Sequence, residues 1–145
     1  MREKATVAES ARISIIDDDE SMREAIKTLI GSMGLSIEEF PSAEEFLNSG
    51  RFEVDCLILD VRMPGLSGLE LQRRLVADNR FVPIVFITAH FIEEERTRAV
   101  EAGAVAFLNK PFTEQELLKA ISASLTIKKK FANGLDESMI RLGEE

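Results

Sequence analysis

The sequence predicts an α/β fold, a single doubly wound (βα)5 domain built on a five-stranded parallel sheet. Short apolar runs alternate five times with segments of helical periodicity, which is typical of strand–helix–strand units. The central runs lack polar alternation, as expected for strands that are covered by helices on both faces. With 145 residues the chain has the length of one domain, and its 45% hydrophobic residues are ordinary for a globular protein.

Composition excludes several classes of protein. The single cysteine, Cys56, rules out an intramolecular disulfide and a cysteine-based zinc cage. No stretch approaches the roughly 20 apolar residues of a membrane-spanning helix, and the N-terminus lacks the apolar core of a secretory signal. We therefore expect a cytoplasmic protein without membrane contact. A net charge of −8 repels phosphate, so this segment is not expected to bind nucleic acid directly.

The first unit joins a β-branched run at residues 13–16 to an acidic run, Asp17–Glu20. The spacing of Ser21 and Glu24 predicts a capping box at the start of a helix, and Asp19 and Glu20 are expected to favour that start through the helix dipole. The helix shows one apolar face with i, i+3 and i+4 spacing. That face consists of Met22, Ala25, Ile26, Leu29, Ile30 and Met33, and Gly34 is placed to end the helix.

The second and third strands follow. Residues 36–40 predict a weaker strand that ends at Pro41, and Ser42 with Glu45 forms a second capping-box pattern before a short helix that closes at residues 48–50. The run Cys56–Leu59 is apolar without alternation, which predicts a strand buried on both faces. It ends in a single acid, Asp60.

The fourth and fifth units complete the pattern. A turn at residues 63–65 leads to a predicted helix over 69–78, and the apolar strand 83–87 ends in Thr88. The predicted helix over 93–102 is more polar, and its Glu93–Glu95 run is interpreted as a solvated helix start. A fifth strand over 105–108 runs into Asn109, Lys110 and Pro111, and Thr113 with Glu116 opens a last helix that carries Leu117, Leu118, Ile121 and Leu125.

The predicted chemistry lies where the strands end. Right-handed crossovers place the carboxyl ends of parallel strands at one edge of the sheet, which is where ligands bind in open α/β folds. That edge would gather the acids of residues 17–19, Asp60, Thr88 and Lys110. Clustered carboxylates repel one another unless a cation lies among them, and Mg²⁺ suits a site with few carboxylates and a phosphate. An aspartate at such a site can attack phosphorus and form an aspartyl phosphate.

Four motifs at these strand ends resemble the receiver domain of two-component response regulators. They are Ile15–Asp19, Leu57–Gly65, Ile87–Ala89 and Phe107–Phe112. The resemblance covers about residues 12–127, and the Asp60–Gly65 segment is most similar in wording to receivers of nitrogen-fixation transcription regulators. It implies a flavodoxin-like sheet with strand order 2-1-3-4-5. It also divides the chain into an N-terminal extension (1–10), the receiver (11–127) and a C-terminal helix extension, linker or tail (128–145).

The resemblance assigns a role to each residue of the edge. Asp60 would accept the phosphoryl group, and Asp17, Asp18, Asp60 and the backbone carbonyl of Arg62 would bind Mg²⁺. Lys110 would contact the phosphoryl group, and its bond to Pro111 is expected to be cis. Thr88 and Phe107 would form the switch, Phe107 through packing alone because it lacks a hydroxyl; a purely structural role in the core is its alternative.

The resemblance also implies partners. The phosphoryl group would come from a sensor histidine kinase or a histidine-containing phosphotransfer domain. Phosphorylation would change the face formed by the fourth helix, fifth strand and last helix, with possible homodimerisation there. The chain would be a signalling protein that catalyses only its own phosphorylation and dephosphorylation and controls an output, expected to be transcription.

Two alternatives remain open from the residues. Asp17 and Asp19 fit the nucleophile motif of a haloacid-dehalogenase-type phosphohydrolase, although that interpretation needs a downstream acid pair and leaves Asp60 without a role. The other alternative is an unphosphorylated scaffold with a receiver fold, against which the complete set of acids argues. The residues do not identify the kinase, the stimulus or the target genes.

Overall fold

The computed structural model describes residues 11–132, so the predicted N-terminal extension and the tail beyond residue 132 lie outside the described residues. Five parallel strands form one sheet in the order 2-1-3-4-5, which confirms the predicted fold. The strands are β1 (Arg12–Ile16), β2 (Ser36–Phe40), β3 (Cys56–Asp60), β4 (Ile84–Thr88) and β5 (Ala106–Asn109). The helices are α1 (Glu20–Ile30), α2 (Ala43–Ser49), α3 (Gly68–Ala77), α4 (Glu93–Glu101) and α5 (Glu114–Ala132).

Helices cover both faces of the sheet. Strands β3 and β4 are buried along their whole length, as their unbroken apolar sequences predict. One face packs against α1 and α5 through residues such as Ile26 and Ile121. The other packs against α2, α3 and α4 through Phe46, Leu71 and Ala99. The sheet is therefore a rigid central layer whose strand ends are held in fixed positions.

Side-chain capping explains where α1, α2, α3 and α5 begin, whereas α4 has no side-chain cap. Ser67 with Glu70 and Thr113 with Glu116 form reciprocal capping boxes at α3 and α5. Ser42 accepts a hydrogen bond from the backbone N–H of Glu45 at α2. The box predicted for Ser21 and Glu24 is wrong: α1 begins at Glu20, and its N-cap is Asp19, whose carboxylate accepts the N–H of Ser21. Asp19 and Glu20 thus serve the helix start as predicted.

Helix ends also follow the sequence. A short 3-10 turn at Gly31–Met33 follows α1 and stops at Gly34, which has a φ of 77° that favours glycine. Helix α5 continues as one helix through the predicted boundary between residues 127 and 128 and reaches Ala132. The division of the chain at that boundary stays a prediction. Between residues 11 and 132, no helix has the length and apolar character needed to span a membrane.

Candidate functional site

The strand register brings the predicted site residues to one edge. Ile16 pairs with Leu59, Asp60 with Ile87, and Thr88 with Asn109, so each of the four strands β1, β3, β4 and β5 ends within one residue of its neighbour in the sheet. Carboxylate oxygens of Asp17, Asp18 and Asp60 all lie within 4.8 Å of one another. Two of these acids, Asp17 and Asp60, are buried, whereas Asp18 is exposed.

The Lys110 ammonium lies among these carboxylates. Its Nζ donates to Asp17 Oδ2 at 3.0 Å and lies 3.7 Å from Asp60 Oδ1. The lysine follows β5 and its backbone N–H donates to the carbonyl of Thr88; its peptide bond with Pro111 is cis, as expected. One ammonium thus bridges two buried acids and offsets part of their mutual repulsion.

Asp17 is held at both of its oxygens. Oδ1 accepts the backbone N–H of Asp19 at 2.9 Å, and Oδ2 accepts Lys110. Its side chain is fully buried. These contacts fix the orientation of the carboxylate, which suits a ligand or positioning group and leaves no oxygen exposed for attack on a substrate.

Asp60 has a different environment. It is the last residue of β3, and 6% of its surface is exposed. Burial and the neighbouring Asp17 charge raise the pKa of Asp60 to about 7, while Lys110 and the backbone N–H of Arg62 act in the opposite direction. The carboxyl group is therefore partly protonated near neutral pH, and a bound cation would favour its ionised form.

This raised pKa predicts a pH-dependent stability. An acid whose pKa is raised by folding binds more protons in the folded state, so stability falls as pH rises from about 4 to about 7. At about 1.4 kcal/mol for each pKa unit, the rise to about 7 sets an upper limit of about 4 kcal/mol, and solvent screening brings the expected effect of Asp60 to the order of 2 kcal/mol. Asp60→Asn removes it. In EDTA, we expect denaturant unfolding to show the variant gaining stability over the wild type across this window; parallel pH profiles would contradict the prediction.

Thr88 ends β4 with a buried hydroxyl that contacts its own loop. Its Oγ1 donates to the carbonyl of His90 and accepts the backbone N–H of the same residue, both at 3.1 Å. No pattern in the sequence indicated that the backbone of His90 holds Thr88. In this arrangement the hydroxyl is engaged with the β4–α4 loop.

Phe107 lies half-buried on β5. Its ring packs against Phe86, with centroids 5.8 Å apart, and meets Phe91 edge-on at 5.9 Å. Phe91 is 40% exposed and belongs to the same loop as His90. The aromatic ring is therefore in contact with the segment that holds Thr88.

Beside the site lies an ion pair that the sequence did not reveal. Arg62 Nη2 donates to Glu95 Oε1 at 2.7 Å, which links the loop after β3 to the first turn of α4. The Glu95 side chain is only 18% exposed. The interpretation of Glu93–Glu95 as a solvated helix start is therefore wrong for Glu95. The partners are 33 residues apart, and no local pattern could have found the pair.

The donor set fits a hard divalent cation. Three carboxylates supply oxygen ligands within reach of one ion, and Lys110 brings only one positive charge among them. A dication would remove this excess. The acidic cluster could therefore hold a metal ion.

Comparison with known proteins agrees with this geometry. The family model described as "Response regulator receiver domain" matches residues 13–122. The chain is 49% identical over 116 residues to the response regulator protein TodT of Pseudomonas putida, a match that covers 79% of this chain and 51% of the relative.

Two further matches are informative. The transcriptional regulatory protein FixJ of Azorhizobium caulinodans is 38% identical over 118 residues, which cover 81% of this chain and 56% of that protein. A solved structure of the response regulator StyR is similar with a TM-score of 0.77 and 43% identity, covering 92% of this chain and 68% of that one. The chain spans about half the length of the curated relatives it matches.

Proposed function

Since the chain belongs to the response regulator receiver family, we propose that it is the phosphoacceptor module of a two-component phosphorelay. Asp60 accepts a phosphoryl group from a sensor histidine kinase or a histidine-containing phosphotransfer domain. The receiver comprises residues 11–127, preceded by an extension (1–10) and followed by a helix extension, linker or tail (128–145). The resulting conformational change controls an output, which we infer to be transcription because a relative is named as a transcriptional regulator.

One observation carries this proposal: the Lys110 ammonium lies between the carboxylates of Asp17 and Asp60, both of which are buried. A carboxylate oxygen of Asp60 attacks phosphorus in line with the leaving group, giving an aspartyl phosphate and releasing the donor's imidazole. Lys110, already 3.7 Å from Asp60 Oδ1, is placed to neutralise the transferred oxygens. Such transfer depends on positioning and charge neutralisation, which these two side chains supply.

We assign the cation to Mg²⁺. Asp17, Asp18, Asp60 and the backbone carbonyl of Arg62 would hold it, and these are the oxygen donors that Mg²⁺ prefers. When bound, the ion supplies charge neutralisation to the phosphoryl oxygens. Hydrogen bonds from the Asp19 N–H and the Lys110 ammonium already orient the Asp17 carboxylate, so this ligand needs little rearrangement to bind the ion.

Thr88 and Phe107 form the switch in this proposal. A phosphoryl oxygen competes with the His90 carbonyl for the Thr88 hydroxyl, and movement of Thr88 toward it releases the β4–α4 loop. Because Phe91 of that loop packs on Phe107, the aromatic ring follows through packing. Phosphate stabilises the arrangement in which it gains this hydrogen bond and thereby shifts an existing equilibrium.

Phosphorylation is expected to favour a homodimer through the α4–β5–α5 face. Phe91, Ile92 and Val100 expose apolar surface in and beside α4. Sedimentation of the chain with and without a phosphoryl analogue should show a shift toward dimer when the analogue is bound. A monomer–dimer ratio that the analogue leaves unchanged removes this part of the proposal.

Incubation with acetyl phosphate tests the proposed function directly. Intact-mass spectrometry should show the gain of one phosphoryl group in Mg²⁺, and the gain should disappear in EDTA. No labelling in Mg²⁺, or labelling that is equal in EDTA, would contradict the proposal.

A lysine variant adds a quantitative arm to this experiment. Lys110→Ala removes the ammonium beside Asp60 and should slow labelling about 100-fold, the order expected when one donor to a developing anion is lost. Lys129→Ala, which changes an exposed lysine on α5, serves as the matched control and should label at the wild-type rate.

A further inference from the structure

Arg23 of α1 donates a hydrogen bond to the loop that carries two of the proposed metal ligands, Asp17 and Asp18. Its Nη1 donates to the backbone carbonyl of Asp17 at 2.7 Å, and its Nε donates to Glu39 Oε1 at 2.8 Å. The side chain is 14% exposed, which is low for an arginine. One guanidinium thus joins the loop after β1 to the edge strand β2.

The carbonyl that Arg23 holds belongs to the peptide between Asp17 and Asp18. The orientation of that peptide plane sets the direction in which both side chains leave the backbone. On its other side the loop is fixed by the Asp19 N–H on Asp17 Oδ1. The backbone N–H of Asp17 also donates to the carbonyl of Phe40 at the end of β2. Among these contacts, Arg23 is the one that a side chain outside the cluster makes to the peptide between the two acids.

The charge of Arg23 is cancelled before it can oppose a cation. Glu39 accepts both Arg23 and Lys27, and Lys27 also pairs with Glu24 at 2.9 Å. Two cations and two carboxylates make this network neutral. The pKa of Glu39 lies below its ordinary value because of hydrogen bonds from Lys27 and Arg23, so the carboxylate stays ionised. Arg23 can therefore hold the loop without adding net positive charge beside the site.

We propose that Arg23, neutralised by Glu39, is a positioning residue for the divalent cation and acts through the Asp17 carbonyl. The inference rests on the proposed function, because it assumes that Asp17 and Asp18 bind the ion. Groups that hold metal ligands in place commonly change metal affinity about 10–100-fold when they are removed. The chemistry at Asp60 does not involve Arg23 directly, so its loss should weaken ion binding and leave transfer at saturating ion intact.

Calorimetric titration of the wild type and its variants with Mg²⁺ tests this assignment. Arg23→Gln should raise the Kd about tenfold. Lys27→Gln, the matched control, removes an ion pair to the same Glu39 but does not touch Asp17 and should change the Kd less than about twofold. At saturating Mg²⁺, acetyl phosphate should label both variants at the wild-type rate. A Kd equal in the two variants overturns the positioning role.

Two further arms separate the possible failures. If the wild type and Asp18→Asn both bind no Mg²⁺, the proposed function fails; if the wild type binds and Asp18→Asn does not, the Arg23 result stands by itself. Should Arg23→Gln fail to fold, Glu39→Gln decides, because it leaves the guanidinium uncompensated near the ion. That variant should bind Mg²⁺ more weakly at low salt and recover as salt rises; an unchanged Kd at low salt overturns the inference.

Discussion

Asp60→Asn is expected to abolish the phosphoryl adduct that the wild type gains from acetyl phosphate and Mg²⁺. An amide oxygen is a poor nucleophile, and the asparagine side chain lacks the carboxylate oxygen that forms an acyl phosphate. The loss should be complete within the detection of intact-mass spectrometry. The same variant should be folded and, without Mg²⁺ at pH 8, more stable than the wild type, since it removes the cost of burying a charged carboxylate and its repulsion with Asp17.

The structure explains why Asp60, among the three acids, is the expected acceptor. Asp17 has both oxygens engaged and no exposed surface, so an incoming phosphorus could not reach it without breaking its contacts to Lys110 and Asp19. Asp18 is exposed, whereas the Lys110 ammonium lies against Asp17 and Asp60. Of the three acids, Asp60 is the one that keeps a small exposed surface, 6%, and also lies near the Lys110 ammonium.

Two variants complete this experiment. Asp78→Asn changes an exposed acid at the far end of α3 and should label like the wild type. Asp17→Asn should weaken labelling through the metal site while leaving a slow adduct on Asp60. An adduct that persists in Asp60→Asn and is lost only in Asp17→Asn would instead favour the phosphohydrolase alternative.

The sequence was sufficient to predict which residues meet at the strand ends, because the parallel topology determines where those residues lie. In a parallel sheet every strand finishes at the same edge, so acids that follow apolar runs must converge wherever the strands lie in the order. Asp17, Asp60, Thr88 and Lys110 were found in this way, and the structure places them together. Their catalytic roles stay a prediction.

Contacts that depend on how helices dock were beyond the sequence. Glu95 reads as one of three solvated glutamates, yet the placement of α4 brings it to Arg62. Arg23 reads as a helix surface residue, yet it reaches Glu39 on the neighbouring strand. At the start of α1 the sequence predicted a cap at Ser21, yet Asp19 caps the helix, and its carboxylate accepts the N–H of Ser21.

Gly68→Ala is expected to lower the free energy of unfolding by about 2–3 kcal/mol, a large part of a small domain's stability. Gly68 begins α3, where alanine is ordinarily favoured over glycine by about 1 kcal/mol. Here a Cβ would lie 2.3 Å from the backbone carbonyl oxygen of Asp60 and 3.1 Å from Leu59 Cγ. Because β3 is a central strand buried on both faces, its backbone cannot move aside cheaply, and the clash outweighs the helical preference.

Gly31→Ala is the matched control for that prediction. Gly31 has a φ of −64°, and an added Cβ would meet nothing within 4 Å, so alanine should be neutral or stabilise by about 0.5–1 kcal/mol. Urea unfolding of both variants in EDTA measures the difference. The clash at Gly68 also pushes on the residue that carries the acceptor carboxylate, so labelling by acetyl phosphate should slow in Gly68→Ala and not in Gly31→Ala. If Gly68→Ala is as stable as the wild type, the close approach of α3 to Asp60 is not needed to hold the acceptor in place.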